Sequence, residues 1–371
     1  MSAFDRAPPS NAPVLNIAVF EGDGIGPEVM APTVTLVTKA AARAGVTLDL
    51  ESLPAGAAHY ARHGEALPPS ALKSAEAADA ILLSAMGLPD VRYADGTEIS
   101  PQIELRFAMG LYAGVRPVMT FPGQPCPLAD ARARALDFVL IRESTEGLFH
   151  SHARGTVTED REAREILLIT RDTSERLFDF AFALARSRKD EGRGPGTVTC
   201  VDKANVFKAF AFFRRIFRER AALHPDLAAE VAYVDATALS MVQRPWEFDV
   251  LVTENMFGDI LSDLGAGLMG GLGFAPSADI GDDSAVFQPC HGSAPDIAGQ
   301  GIANPAAMIL SGAMMLDWLG RQRDHDALVA AGQALRQAVG AAIASGSVKT
   351  RDMGGRAGTE DFARAVEDHL G

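Results

Sequence analysis

The stretch FDVLVTENMFGDILSD, residues 248–263, restricts the fold more than any other part of the chain. Its first six residues are a short apolar, β-branched run of the kind that forms a buried strand. Glu254-Asn255 turns the chain, and a helical pattern opens near Phe257-Gly258. On that helix Asp259 and Asp263 are four residues apart, so both carboxylates share one face about one turn from each other. Like charges at this spacing cost roughly a few tenths of a kcal/mol on an exposed helix, so a solvated face is one explanation. Placement at the carboxyl end of a buried strand, where open α/β sheets gather ligands, favours a metal site instead. Two carboxylates completed by water or substrate oxygens suit Mg²⁺ or Mn²⁺.

Buried runs that end on a charged residue recur along the chain. Residues 14–20 form a strand that enters the glycine-rich turn GDGIGPE (22–28), with a helix from near Pro27. That turn lacks the GxGxxG spacing and the later acidic residue of a dinucleotide fold, so a Rossmann assignment is declined; a tight turn and a cofactor contact both stay open. Residues 80–87 give a second buried strand and loop, and His59 and His63 belong to a solvated helix face. The run 138–141 ends on Arg142, the run 197–201 delivers Asp202-Lys203-Ala204-Asn205, and the run 231–234 ends on Asp235. Arg106, on a helix opened by Ser100-Pro101, and Arg116 flank residues 110–115. Arginine forks match carboxylates bidentately, although a surface ion pair is the commoner use of each alone. Lys203 can serve as a base or bind an anion, or stand in a simple ion pair.

The cap of the helix carrying Leu177, Phe178, Ala181, Leu184 and Ala185 is expected at residues 172–175, and its end at 192–196. Residues 207–221 alternate aromatic and basic side chains at helical period, which reads as a core or interface stripe rather than an RNA surface. Residues 121–127 are a loop and candidate domain boundary, and the glycine run 265–273 is expected to be a flexible hinge. Residues 291–299 form a second glycine-rich loop able to cradle a phosphate, with Asp296 placed for ribose hydroxyls and an apolar helix opening at Asn304-Pro305.

Length and charge bound the rest. The chain's 371 residues suffice for about two domains. A net charge of −14 argues against a nucleic-acid partner and requires that any anionic substrate meet a local concentration of arginine. Three cysteines without CxxC spacing speak against a disulfide framework or zinc site. Residues 1–13 read as a loose arm without a basic and apolar leader pattern, and no run of 18 apolar residues occurs. The expectation is a cytoplasmic protein with no membrane partner.

Taken together, GDGIGPE (22–28), LRxxxGLYAxxRP (105–117), IRESTEG (141–147), VDKANV (201–206), TENMFGDILSD (253–263), HGSAPDIAGxGIANP (291–305) and TxDxGG (350–355) resemble the β-decarboxylating dehydrogenases. That family contains the isopropylmalate, isocitrate, homoisocitrate and tartrate enzymes. The motifs span nearly the whole chain in the family's order. The resemblance implies an α/β, isopropylmalate dehydrogenase-like fold of two domains sharing one large mixed sheet, distinct from the Rossmann fold. Residues 1–111 plus 270–371 would form the cofactor-binding domain, and 112–269 the second domain, through which a homodimer with shared active sites would form.

The same resemblance implies roles. Arg106, Arg116 and Arg142 would hold the carboxylates of a small anionic hydroxy acid, with Ser100 and Ile103 near its variable substituent. Asp259 and Asp263 would bind Mg²⁺ or Mn²⁺, with Asp235 and Lys203 reaching in from the partner subunit. Lys203 would take the C2 hydroxyl proton while hydride passes to the nicotinamide. His291, Gly292, Ser293, Ala294, Pro295, Asp296, Ile297 and Asn304, with Asn205, would contact the cofactor. NADP-specific relatives carry lysine and tyrosine at Asp296 and Ile297, so the carboxylate here implies NAD. Two departures are specific to this chain. Phe149 stands where the family usually has a tyrosine that helps protonate the enol, which leaves that step to His150, His152 or water, or makes it slow. Gln288 stands where glutamate is common. Ile103 suits the apolar substituent of isopropylmalate, whereas Gln102 and Ser100 suit isocitrate or homoisocitrate, and tartrate oxidation or a catalytically silent ligand-binding subunit are the further alternatives.

Overall fold

The computed structural model describes residues 13–152 and 154–371, so the arm expected over residues 1–13 lies, apart from Pro13, outside the described residues. The strands are β1 (Val14–Phe20), β2 (Thr47–Ser52), β3 (Ala80–Leu83), β4 (Ala113–Met119), β5 (Asp137–Glu143), β6 (Thr156–Thr158), β7 (Glu162–Arg164), β8 (Thr197–Asp202), β9 (Ala228–Tyr233), β10 (Val250–Thr253), β11 (Pro276–Ile280) and β12 (Ala285–Pro289). Ten of them form one mixed sheet in the order β2-β1-β3-β12-β11-β4-β5-β10-β8-β9, while β6 and β7 form a separate hairpin. The centre is antiparallel, β12 to β11, β11 to β4 and β4 to β5, and the two wings are parallel. Because β11 and β12 insert between β3 and β4, early and late parts of the chain share one sheet. This is the expected α/β architecture.

Every residue of β3, β10, β11 and β12 is buried, as strands covered on both faces require. The cover comes from α1 (Gly26–Arg43), α2 (Ala57–His63), α3 (Pro69–Ala77), α4 (Pro101–Ala108), α5 (Arg171–Asp190), α6 (Lys208–Ala221), α7 (Val234–Gln243), α8 (Asn255–Leu268), α9 (Ala306–Gln322), α10 (Asp326–Ser345) and α11 (Thr359–Leu370). α10 is long and apolar enough to cross a membrane, yet half of it is buried between α9 and α11, where it acts as a core helix. On α6 the aromatic stripe Phe210, Phe213, Ile216 and Phe217 is buried, and Arg214 pairs with Asp202 at 2.6 Å.

Three local expectations differ from the structure. The cap of α5 is Thr170, two residues before the expected position, because its hydroxyl accepts from the Thr173 amide. Asp235 sits in the first turn of α7 rather than at a strand end, since β9 stops at Tyr233. Residues 265–268 are helical, not a hinge: α8 runs through them because Gly265 packs against Val118, and the turn is confined to Gly270 and Gly271.

Candidate active site

The carboxyl ends of the central strands bring three arginines together. β4 carries Arg116, β5 carries Arg142, and α4 presents Arg106 from outside the sheet. Arg106 and Arg116 share one counter-ion, Asp279 on β11, which is fully buried. It accepts from Arg106 Nε at 3.0 Å, Arg116 Nη2 at 3.2 Å, Gln288 Nε2 at 2.6 Å and Ser144 Oγ at 3.2 Å. Burial pushes its carboxyl pKa up, but Arg106, Arg116 and Arg142 outweigh that and hold it at about 2. The approach is close: a Cβ on Gly114 would lie 2.5 Å from Ser144 Oγ and 3.0 Å from Asp279 Oδ1.

Arg142 is placed differently. Its Nε donates to Asn255 Oδ1 at 2.9 Å, and its Nη1 pairs with the half-exposed Asp259. Burial, then the like charge of Arg106, push its pKa down to about 10. α8 lies almost in contact with this side chain, since a Cβ on Gly258 would be 2.6 Å from Arg142 Cβ. α8 is held in turn by Glu254, whose carboxylate caps it by accepting from Phe257 N at 2.8 Å and Met256 N at 3.2 Å.

Arg106, Arg116, Arg142, Asp259 and Asp263 line one cavity of about 200 Å³, with Gln102, Gln288 and His291. Burial, and next the neighbouring Asp259, raise the pKa of Asp263. Two carboxylates that disfavour each other's charge are a donor set a divalent cation relieves. Among the described residues no third acidic, histidine or cysteine ligand joins them. Lys203 and Asp235 pair with each other at 2.9 Å and do not line this cavity. The bond from Lys203 is the main reason that Asp235 is held below the usual carboxylate range.

His291 faces a second cavity of about 260 Å³, lined also by Ile25, Ile297, Ala303, Asn304 and Asp352. Burial lowers the pKa of His291, and its Nδ1 is 3.0 Å from the Gly292 carbonyl. His291 Nε2 and Gln102 Oε1 are buried without a hydrogen-bond partner among the described residues. Such orphaned atoms are expected where a polar ligand belongs. The residues therefore fit a cofactor in one cavity and a hydroxy acid in the other, meeting at His291.

The loop 291–304 is fixed by the first glycine turn. Ile25 N donates to Ser293 O at 2.8 Å, and Glu28 accepts from Ala303 N at 2.8 Å. Asp23 locks the turn itself by accepting from Ala57 N, Ala58 N and Gly87 N at 2.7–2.8 Å. The turn supports the second loop, with Ile25 reaching the cavity wall. Gly292, Pro295 and Asp296 are exposed or half-buried, and Ala294 holds a left-handed φ of 36°. Asn205 is exposed beyond β8 and reaches neither cavity, and Ser100 and Ile103 do not line the arginine cavity, whose wall on α4 is Gln102 and Arg106. Asp279 escaped the sequence reading; its one signal is an acid inside the otherwise apolar and small run PSADI.

Residues 16–366 match the isocitrate/isopropylmalate dehydrogenase family. A 3-isopropylmalate/3-methylmalate dehydrogenase of Methanocaldococcus jannaschii is 40% identical over 353 residues, 94% of this chain and 97% of that one. A 3-isopropylmalate dehydrogenase of Listeria innocua is likewise 40% identical over 94% of this chain and 97% of its own. Among solved structures, isocitrate dehydrogenase from Methylococcus capsulatus superposes with a TM-score of 0.82 at 37% identity, covering 96% of this chain and 99% of that one. A β-decarboxylating dehydrogenase from Thermococcus kodakarensis gives 0.77 at 36% identity, covering 96% of each. The strand order, the arginine cavity and these likenesses agree, and the chain belongs to the isocitrate/isopropylmalate dehydrogenase family of decarboxylating dehydrogenases.

Proposed function

We propose that the protein catalyses the NAD-dependent oxidative decarboxylation of 3-isopropylmalate, with Mg²⁺ or Mn²⁺, as a cytoplasmic homodimer. The observation that carries this reading is the cavity in which three arginines face Asp259 and Asp263. Arg106 and Arg116 are preorganised by Asp279 and bind one substrate carboxylate. Arg142, paired in this structure with Asp259, faces the other carboxylate. When bound, NAD accepts the C2 hydride and the divalent ion polarises the C2 oxygen. Lys203 of the partner subunit would receive the C2 hydroxyl proton, and Asp259 and Asp263, with Asp235 of the partner subunit, would hold the divalent ion. The C3 carboxylate then leaves as CO₂, and the electron pair it releases is reprotonated at C3.

Loop 291–304 holds the cofactor, where the carboxylate of Asp296 accepts from a ribose hydroxyl and repels a 2′-phosphate. On this reading residues 1–111 plus 270–371 are the cofactor-binding domain and 112–269 the second. Support for the dimer comes from β9, an edge strand with Val231 and Tyr233 exposed, and from adjoining α7 and α8, which expose Leu239 (58%), Val242 and Ile260 (61%). Apolar side chains clustered on adjoining elements mark an interface.

Gln102 favours a second reading of the substrate, because its unpartnered Oε1 on the cavity wall suits a polar 3-substituent such as that of isocitrate. A panel of 3-substituted malates with NAD and Mn²⁺, with NADH and CO₂ followed separately, decides between them. Highest kcat/KM on isopropylmalate supports the first reading. Preference for isocitrate or homoisocitrate supports the second, NADH without CO₂ marks a tartrate-type oxidation, and neither product from any substrate rejects both readings.

Phe149 lies under Arg142, its ring centre 4.9 Å from the guanidinium carbon, so a phenol there would stand beside a residue that lines the cavity. A positioned acid contributes about 10²–10⁴-fold to a proton transfer. Phe149→Tyr is therefore expected to raise decarboxylating turnover if reprotonation limits it, measured as CO₂ release at saturating substrate. An unchanged or lower rate assigns that step to another group.

A further inference from the structure

Strand alternation separates two cavities on opposite faces of the sheet. Val115 of β4, Val139 of β5, Ile280 of β11 and Phe287 of β12 line a cavity of about 520 Å³. Arg116, Arg142 and Gln288, on three of these same strands and at odd offsets from those residues, line the arginine cavity instead, and Asp279, next to Ile280, faces the arginines. Neighbouring residues on a strand point to opposite faces, so the larger cavity lies behind the active site, with the sheet between them. Its walls are α5 on one side, with Phe180 and Leu184, and α9 on the other, with Leu310, Met314 and Trp318. A volume of about 520 Å³ is the size of sites that enclose small molecules, roughly 300–1,000 Å³.

The charged groups on this cavity are matched in pairs except one. Arg321 spans from α9 to Glu191 at 2.6 Å and Ser187 at 3.1 Å, and also binds Asp317 at 3.0 Å. Arg188 is bound to Asp249 at 2.8 Å, Arg193 to Asp137 at 2.9 Å, and Asp282 to Tyr112 at 3.1 Å and Arg176 at 3.2 Å. Arg336 of α10 lines the cavity with no ion pair or hydrogen bond among the described residues. Burial, and next the like charge of Arg193, lower its pKa against the attraction of Asp317, Asp137 and Glu191, none of which is bonded to it. One unmatched guanidinium at the edge of an apolar chamber calls for one anionic head on an apolar body.

We propose that this chamber is a second ligand site, distinct from the hydroxy-acid site, that binds a small monocarboxylate with a branched or aromatic apolar body through Arg336. The bulk of the ligand lies against Phe287, Met314 and Trp318, and its carboxylate takes the open face of the guanidinium. A dicarboxylate or a phosphate fits poorly, because Glu191, Asp317 and Asp282 also line the chamber and would face the second negative charge.

Trp318 is a reporter built into the site, since Trp246, stacked under Arg132, is the other of the two tryptophans. In full-length Trp246→Phe protein, titration with 4-phenylbutyrate is expected to change Trp318 emission saturably. The neutral analogue 4-phenylbutyramide should bind about tenfold more weakly, the size of one charge-assisted hydrogen bond. Arg336→Gln should remove the difference between acid and amide while turnover at saturating isopropylmalate is unchanged. Calorimetry on the unmodified protein should return the same two affinities, and saturating isopropylmalate should not displace the ligand. Absence of saturable binding, equal affinity for acid and amide, an Arg336→Gln protein that still prefers the acid, or displacement by isopropylmalate would each overturn the proposal. None of these binding readouts depends on the reaction assigned to the opposite face.

Discussion

Lys203→Met protein and Asp259→Asn protein, each nearly inactive alone, are expected to recover about one quarter of wild-type turnover when unfolded together in equal amounts and refolded. The proposed homodimer has each site built from both chains. Asp259 and Asp263 line the arginine cavity, while Lys203 and Asp235, bonded to each other at 2.9 Å, lie outside it. If the partner supplies Lys203, a mixed dimer has one site with both defects and one with neither. Half the dimers are mixed at random assortment and each retains one working site of two, hence about a quarter. Each parent should lose about 10²–10⁴-fold, the worth of a positioned base, or more where a metal ligand is gone. A mixture no more active than its parents would place Lys203 and Asp259 in the same site of the same chain, or Lys203 outside the chemistry.

The parts of this site that are legible in the sequence share one physical signature. A buried apolar run that ends on a charged residue points to a partner for that charge, and Arg142 and the Asp259–Asp263 pair both follow such runs. Arg106, Arg116, Arg142, Asp259 and Asp263, read from separate motifs, meet around one cavity in the fold. What stayed hidden depends on contacts distant in sequence. Asp279 sits within a strand, where a charge is unfavourable unless neutralised, and its partners Arg106, Arg116 and Ser144 are 135–173 residues away. Gly265 within α8 stands close against Val118, far along the chain, a contact that no local glycine rule contains. The chamber behind the sheet is assembled from α5, α9, α10 and four strands, and its unmatched Arg336 looks from sequence like any surface arginine. The resemblance to the family supplied the large mixed sheet; the local patterns supplied only strands, helices, turns and their ends.

Asp279→Asn is expected to lower the unfolding free energy at neutral pH by about 3–5 kcal/mol, the cost of removing one partner from a buried ion pair. The mutant keeps the shape of the side chain but leaves Arg106 and Arg116 without their shared counter-charge beside Arg142. The sign of the pH dependence follows from the direction of the shift. The folded-state pKa of Asp279 is depressed to about 2, below its unfolded value, so its contribution is fully present above about pH 4 and lost as pH falls toward 2. Urea unfolding of wild type and mutant should therefore differ most near neutrality and converge in acid. Gln288 offers a stricter test, because its Nε2 lies 2.6 Å from Asp279 Oδ2. Gln288→Glu alone puts a second carboxylate against the first, so one of the pair retains a proton well above the usual range. Combined with Asp279→Asn, the same change restores one negative charge among the arginines from the neighbouring strand. The double mutant is expected to be more stable than Asp279→Asn alone and to regain affinity for the hydroxy acid, read as KM. If the two substitutions simply add, the arginine cluster does not need a counter-charge inside it, and Asp279 is not what organises the three guanidinium groups.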